Sequence, residues 1–477
     1  MKKLITCCFL LVLITNLDAQ EFISVPLDNP AYDIIEIGVM RGMIKPPPSV
    51  KPWSVSVVKR KLWEMMDDPE EVLSSKEADM LDRAYESFES KERITFLYTW
   101  ESDFSAQIPE KSFSSVNLAK ISVRGNLAGF MSWDVTALGE FLYIERDDAG
   151  VPSMFPYTMS RMWDGGVLSL RNAKSYHAWP EDPSLAFGLQ GELSGALFDQ
   201  RLQFRFGRLR RDWGSGTSGS SLFLNAQSSP FLAVEGVYSP LSWLDINFLT
   251  GVTEYYPNEN QWLDNSFFIN LLSAVQLEFN PWRFIYFNIG GSAMWVHHVN
   301  LAAFTNLEVR VPGLLKVWGS FFLDRLDSAS DDYRYAYQVG IKTLVRWLPF
   351  CVFTLRYTRI EPYCYTDSYD GSAFVSGGES LGYYVPPNSD ELLIRLESML
   401  LPDFKAHLQF QMIRHGVDSD DVYQWNNVIK LGASYKFIAG PVPISVYAEL
   451  GYVNTLDTVY RTGNSFLFSI GFKLFPR

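Results

Sequence analysis

The residues of this 477-residue chain best equipped for chemistry are few and scattered. Its five histidines are His177, His297, His298, His407 and His415, and only His297 and His298 stand together. Neighbouring strand residues point to opposite faces, so that pair is poorly placed to share a metal ion. A hydrolytic triad needs a serine held beside a histidine, and no local pattern presents one. Gly214-Ser215-Gly216 lacks the lysine and the strand–loop–helix setting of a phosphate loop. No catalytic residue, metal or cofactor is therefore expected.

Binding chemistry is better represented. The segment from about Arg146 to Pro183 carries Tyr157, Trp163, Tyr176, His177 and Trp179 among Asp and Asn. The segment from about Arg359 to Asp390 carries Tyr363, Tyr365, Tyr369, Tyr383 and Tyr384 with Asp367 and Asp370. Aromatic faces stack on the C–H-rich faces of sugars, while carboxylates and amides accept hydrogen bonds from sugar hydroxyls. Trp163, Trp179, Trp213, Tyr365, Tyr369 and Tyr383 are the candidate ligand-binding aromatics. Arg201, Arg205 and Arg356, with Arg124, are expected to face the lumen and are candidates for anionic sugars. At any one aromatic position a membrane girdle or a loop-packing role fits equally well. For each arginine a solvated or ion-paired lumen lining is the commoner fate.

The elements that must position these residues change along the chain. Lys2 and Lys3 precede an apolar run from Leu4 to Leu17, followed by Leu17-Asp18-Ala19, the order of charge, apolar core and cleavage site in a signal peptide over residues 1–19. Residues 20–93 read as three short amphipathic helices. The first follows Asn29-Pro30 with Tyr32, Ile35, Val39 and Met43 on one face. The second follows Trp53 with Val57, Val58, Leu62, Trp63 and Met66. The third opens at Ser75 and Glu77 with Met80, Leu81, Ala84, Tyr85 and Phe88. Helices this short bury too little to stand alone, so they are expected to dock on something larger.

From residue 94 to 477 the period is two. Leu202, Phe204 and Phe206 alternate with Arg201, Gln203 and Arg205, and Phe466, Phe468, Ile470, Phe472 and Leu474 alternate with Leu467, Ser469, Gly471 and Lys473. Short proline-bearing breaks at Pro240, Pro281, Pro312, Pro349, Pro402 and Pro441 alternate with longer polar segments. Short turns on one side and long loops on the other are the asymmetry of an outer-membrane barrel. The fold expected is mainly β, a transmembrane antiparallel barrel of about 18 strands with a small N-terminal helical domain. Val167 to Tyr176 is assigned to an external loop.

Composition agrees. With 41 basic against 54 acidic residues and a net charge of −13, the chain has no basic stripe for nucleic acid. No segment beyond the leader gives the roughly 18 uninterrupted apolar residues of a membrane helix. Cys7 and Cys8 are expected to leave with the signal peptide. Between Cys351 and Cys364 an expected strand would run roughly 30 Å at about 3.3 Å per residue, beyond the reach of a disulfide, so they are expected as free thiols on opposite sides of the membrane.

The run Phe206-Gly207-Arg208-Leu209-Arg210-Arg211-Asp212-Trp213-Gly214-Ser215-Gly216, continuing to Ser220-Ser221-Leu222-Phe223-Leu224-Asn225 and Pro230, resembles a motif of the Wzi-like capsule-assembly family. There a strand ending in Gly-Arg leads into Trp-Gly-x-Gly, then a Ser-Leu-x-Leu patch and a proline. The matching positions are Gly207, Arg208, Trp213, Gly214, Gly216, Ser221, Leu222, Asn225 and Pro230. Glu361-Pro362-Tyr363-Cys364-Tyr365-Thr366, followed by Leu381-Gly382 and Pro387-Asn388-Ser389-Asp390-Glu391, is a second similarity. Ser215 stands where the family often has proline, and Tyr384-Val385-Pro386 departs from its Gly-Pro pattern. The glycines also read as residues that permit tight turns.

The resemblance implies a surface lectin that holds exported polysaccharide at the cell, with the helices of residues 20–93 in the periplasm as a plug for the lumen and long loops outside. Its implied partners are outer-membrane lipid, surface polysaccharide and the barrel-assembly machinery. The competing expectation is a porin or specific diffusion channel for anionic or sugar solutes. An outer-membrane lipid enzyme stands third.

Overall fold

In the computed structural model the period-two segments form eighteen antiparallel strands. The structure describes residues 21–67, 73–89, 94–108, 112–144, 184–214, 219–255, 268–295, 299–325, 334–366, 373–376, 379–417, 424–439, 442–457 and 463–475. Residues 1–19, expected as a signal peptide, with Val167 to Tyr176 and Pro476-Arg477, lie outside the described residues.

The strands are β1 (Ile94–Ile108), β2 (Ser112–Ala128), β3 (Met131–Ile144), β4 (Ser184–Leu197), β5 (Leu202–Leu209), β6 (Phe231–Leu241), β7 (Leu244–Tyr255), β8 (Phe268–Trp282) and β9 (Ile285–Met294). They continue as β10 (Asn300–Val311), β11 (Leu315–Leu323), β12 (Tyr335–Leu344), β13 (Cys351–Ile360), β14 (Ser389–Leu401), β15 (Phe404–His415), β16 (Gln424–Ala439), β17 (Val442–Asp457) and β18 (Gly463–Leu474). Each pairs with its sequence neighbours, and β18 meets β1 from Ile108↔Phe466 to Trp100↔Leu474, closing the barrel.

The pleat sends alternate side chains to lipid and lumen. Phe206, Val234, Val275, Ile289, Leu307, Leu450 and Ile470 are exposed on the outside. Gln276, Glu278, Asn288, Glu308 and Lys316 are buried on the inside. Trp243, Trp282, Phe284 and Trp347 ring the short-turn rim, where rings of amphipathic aromatics sit at headgroup level. Connections at that rim are short, such as 242–243, 283–284 and 402–403, whereas 210–230 and 361–388 cross the other rim.

Two proline positions differ from the sequence expectation. Pro240 and Pro281 lie within β6 and β8, not between strands, each where the register shifts just before the turn. A bulge frees the backbone from the ladder, which is where a residue without an N–H is tolerated. Cys351 and Cys364 are free and buried, the first opening β13 and the second four residues beyond its end, in the 361–388 loop.

Three helices precede the wall: α1 (Ala31–Arg41), α2 (Val55–Met66) and α3 (Ser75–Glu86). Asn29 Oδ1 accepts from Ala31 N–H at 2.9 Å to start α1, which stops where Gly42 takes φ 84°. It therefore ends before Met43. Ser54 caps α2, and Ser74 with Glu77 forms a capping box on α3. Ile34, Ile35, Met40, Val58, Leu62, Met65 and Leu81 pack together and onto Phe350, Val352 and Met399 of the barrel. Side chains of this size contribute about 1.5–3 kcal/mol each when fully buried. A Cβ on Gly38 would lie 2.5 Å from Met65 Sδ, so α1 and α2 touch through the glycine. Trp63 departs from the expected buried face: it is exposed, its ring 6.2 Å from that of Tyr85.

Polar contacts latch residues 24–54 to inward-facing side chains of many strands. Ser24 N–H donates to Glu192 at 3.1 Å and Ser49 N–H to Glu278 at 2.9 Å. Asp33 meets Lys405 at 2.7 Å, and Glu36 lies between Lys316 at 2.5 Å and Lys342 at 2.7 Å. Burial alone would raise the Glu36 carboxyl, but the two lysines outweigh it and hold it down to about 2. A depressed carboxylate stabilises the folded state above its free value and loses that contribution as pH falls through the folded one. The latch should thus be intact above about pH 4.5 and loosen toward pH 2, seen as lost hydrogen-exchange protection over 24–54. Glu36→Gln should weaken docking at neutral pH by about 3 kcal/mol and flatten that pH dependence. Unchanged protection in the variant would remove Glu36 from the latch.

Candidate functional site

The motif segment marks where the chain leaves the wall for the lumen. β5 ends at Leu209, and the next residues run inward. Arg211, fully buried, fixes the bend. Its Nε donates to Glu235 Oε2 at 2.7 Å, and its Nη atoms donate to the carbonyls of Leu209, Phe231 and Gly207 at 2.7, 2.9 and 3.2 Å. The guanidinium also lies 4.5 Å from the Phe231 ring centroid. A planar fork with five donors suits this task, capturing carbonyls that would otherwise leave the ladder unpaired.

Beyond the bend, Asp212 and Trp213 pair antiparallel with Lys51 and Val50, joining the loop to the N-terminal segment. Ser221 Oγ donates to Trp213 O at 2.7 Å, and Asn225 Nδ2 donates to Gly219 O at 2.9 Å and Ser221 O at 2.8 Å. Gly214 passes so near Ser221 that a Cβ would stand 3.0 Å from the serine Cβ. Leu222 O accepts from the Tyr365 hydroxyl at 2.6 Å, and Pro230 leads into β6. These motif residues shape the loop. Gly207 lies within β5, its carbonyl accepting from Arg211 at 3.2 Å, and Gly216 lies outside the described residues.

The loop carries an apolar wedge. Phe223 stacks on Phe304 with centroids 4.1 Å apart and meets Phe374 at 5.5 Å and Trp213 at 5.8 Å. The other long loop, residues 361–388, folds onto the same cluster: Tyr365 lies 5.2 Å from Phe322, and Asn225 N–H donates to Leu381 O at 2.8 Å. Beside it Glu391 accepts from the hydroxyls of Tyr383 and Tyr384, from Gln411 at 2.5 Å and from Arg356 at 3.1 Å. Burial, acting with Glu391 against Arg356, pushes the Tyr383 phenol well above its ordinary value, so it remains a donor.

The candidate residues therefore fall in three places. Trp213, Tyr365 and Tyr383 are buried inside the lumen rather than displayed on an outer loop. Arg205 points inward but is committed to Glu192 at 3.0 Å, Glu235 at 2.5 Å and Pro52 O at 3.0 Å. Arg356 is held by Glu391. Arg201 is exposed on the 198–201 turn at the short-turn rim, not in the lumen, because β5 begins only at Leu202. Arg208 lies on the outer face of β5. Trp163, Trp179 and Tyr369 lie outside the described residues. Tyr363 is exposed at the long-loop rim.

Sequence reasoning passed over Arg211, Glu235, Phe223 and Glu391. The one available signal was the apolar run Leu222-Phe223-Leu224 inside an otherwise polar loop. Among the described residues no group of His, Cys, Asp and Glu could hold a metal ion. Ser389 Oγ and His415 Nδ1 are 2.8 Å apart, but Ser389 is fully buried and out of a substrate's reach.

Removing the wedge should free the loop. Phe223→Ala is expected to cost about 3–5 kcal/mol and to expose residues 210–230 to protease while the wall stays folded. Unaltered cleavage would mean that the stack does not hold the loop.

No family model matches the chain, and no curated protein matches it in sequence. Among solved structures it is similar to Wzi of Escherichia coli, an outer-membrane protein involved in group 1 capsule assembly and described as a carbohydrate-binding β-barrel. That likeness has a TM-score of 0.64 at 12% identity and covers 95% of this chain and 98% of that one. OccD3 of Pseudomonas aeruginosa gives 0.47 at 12% identity, covering 80% of this chain and 92% of its own. OccAB1 of Acinetobacter baumannii gives 0.48 at 11%, covering 80% and 97%. The fold of this chain is thus Wzi-like: a closed antiparallel barrel of eighteen strands with helices at its N-terminus.

Proposed function

We propose that this chain is an outer-membrane barrel that binds exported polysaccharide and holds it at the cell surface, forming and breaking no glycosidic bond. The filled lumen carries this reading. An empty barrel of this strand number leaves an aqueous channel. Here the N-terminal segment is latched across one end, and two loops pack a wedge of Phe223, Phe374 and Tyr365 into the other. Such an interior supports holding a ligand at the mouth over passing a solute through. The likeness to a carbohydrate-binding barrel points the same way.

In this reading the short turns and residues 20–93 face the periplasm, and the long loops face outward. Trp163, Trp179 and Tyr369, with exposed Tyr363, offer stacking faces to sugar, and nearby carboxylates accept its hydroxyls. Trp213, Tyr365 and Tyr383 act from inside by holding the 210–230 and 361–388 loops in place. The aromatic closing strand, Phe466 to Phe475, suits recognition by the barrel-assembly machinery.

The ratio of cell-attached to shed polysaccharide in a deletion strain tests the reading. Total polysaccharide should be unchanged and the shed share should rise. The native chain should restore attachment, and a chain carrying Trp163→Ala, Trp179→Ala and Tyr369→Ala should not. Attachment that never depends on the protein would refute the proposal.

A further inference from the structure

The barrel wall is not of even height. β4 pairs with β3 from Met131↔Gly195 to Leu142↔Ser184. On its other edge it pairs with β5 only from Leu197↔Leu202 to Gly191↔Arg208. β5 then turns inward on Arg211, and β6 starts level with it, at Leu209↔Phe231. On the far side β7 climbs to Tyr255, paired there with Phe268 of β8. The result is a notch above β5 and β6, bounded by β4 and β7. Among the described residues no strand pairs the edge formed by residues 184–190 on the notch side.

A bare strand edge is costly in hydrocarbon, so a notch there favours an occupant with polar groups at its head. The outer lip is apolar: Val135, Leu189, Phe206 and Leu232 are exposed and line the opening. One charge interrupts it. Alternation from Phe206 places Arg208 on the same lipid-facing side, between Gly191 of β4 and Leu232 of β6. No described residue accepts a hydrogen bond or forms an ion pair with Arg208, unlike the neighbouring Arg205 and Arg211. Beside it in the ladder, Gly191 has open space where a Cβ would stand, with Asp134 O, at 3.4 Å, the one heavy atom near.

An unpaired guanidinium on a lipid-facing wall is expensive unless an anion meets it near the interface. Arginine matches phosphate through its planar fork of donors, and the apolar lip matches acyl chains. We propose that the notch receives a phosphorylated lipid from the surrounding leaflet, its phosphate on Arg208 and its acyl chains on Leu189, Phe206 and Leu232. Charge complementarity selects this occupant over a neutral lipid. The proposal is independent of whether the protein holds polysaccharide.

The test is native mass spectrometry of the full chain in a neutral maltoside detergent. The probes are phosphatidylglycerol, a glucosyl-diacylglycerol with the same chains and no phosphate, and inorganic phosphate alone. The chain should retain phosphatidylglycerol in preference to the neutral glycolipid, and inorganic phosphate should not displace it. Arg208→Gln should reduce bound phosphatidylglycerol about tenfold, the worth of one charge-assisted contact. Arg208→Lys should keep most of it, because a point charge still attracts phosphate. Heat-modifiable gel mobility verifies that each variant remains a barrel. Equal retention by the native chain and Arg208→Gln, equal retention of the neutral lipid, or displacement by inorganic phosphate would each overturn the proposal.

Discussion

Hydrocarbon offers no partner to an unpaired backbone N–H or C=O, and each one left bare costs several kcal/mol. A sheet crossing a membrane must therefore close on itself, which is why β18 returns to β1 along Trp100 to Ile108. Closure then dictates the rest. Side chains on one face of every strand must tolerate lipid, and polar residues go to the other. With eighteen strands that other face encloses a space too wide for wall side chains alone to fill.

The chain fills the space from both ends with its own segments. From the short-turn end, residues 24–54 enter as hydrogen-bond and ion-pair partners of the wall, with Glu36 shared by Lys316 and Lys342. From the other end, the 210–230 loop enters at the point where β5 stops. The two meet at Lys51–Asp212, 3.5 Å apart. A chain of alternating charge, Glu192–Arg205–Glu235–Arg211, runs between them at 3.0, 2.5 and 2.7 Å. Buried ion pairs add little net stability but are costly to break singly. Such a chain accordingly fixes position: loss of one member leaves a charge stranded. The early end of β5 has two consequences, a loop aimed inward and a low place in the wall.

How much of this could be read from sequence follows from whether the governing forces are local. Alternation at Leu202 to Phe206 and Phe466 to Leu474 reports lipid on one side directly, and the wall follows. The helices announce themselves through Asn29-Pro30, the apolar period after Trp53 and the pair Ser75 and Glu77, while the caps Ser54 and Ser74 come from the structure; all are interactions within a few residues. The inward course of the long loops is different. Tyr365 and Tyr383 sit among polar residues, the composition of an external loop, and their partners Leu222 and Glu391 are set by the barrel's geometry. Arg205 looked available because Glu192 and Glu235 lie on different strands, and only the register brings them to it. Trp63 looked buried because its helical period is right, but the neighbouring helix leaves that face open to water.

The central claim, that the lumen is occupied by the protein's own segments, is tested most directly by single-channel conductance of the intact chain in a planar bilayer. A filled lumen predicts no steady open-pore current, with large conductance appearing once residues 20–93 and the inward loop 210–230 are both removed. A large, steady conductance from the intact chain would contradict the account and make the barrel a diffusion channel.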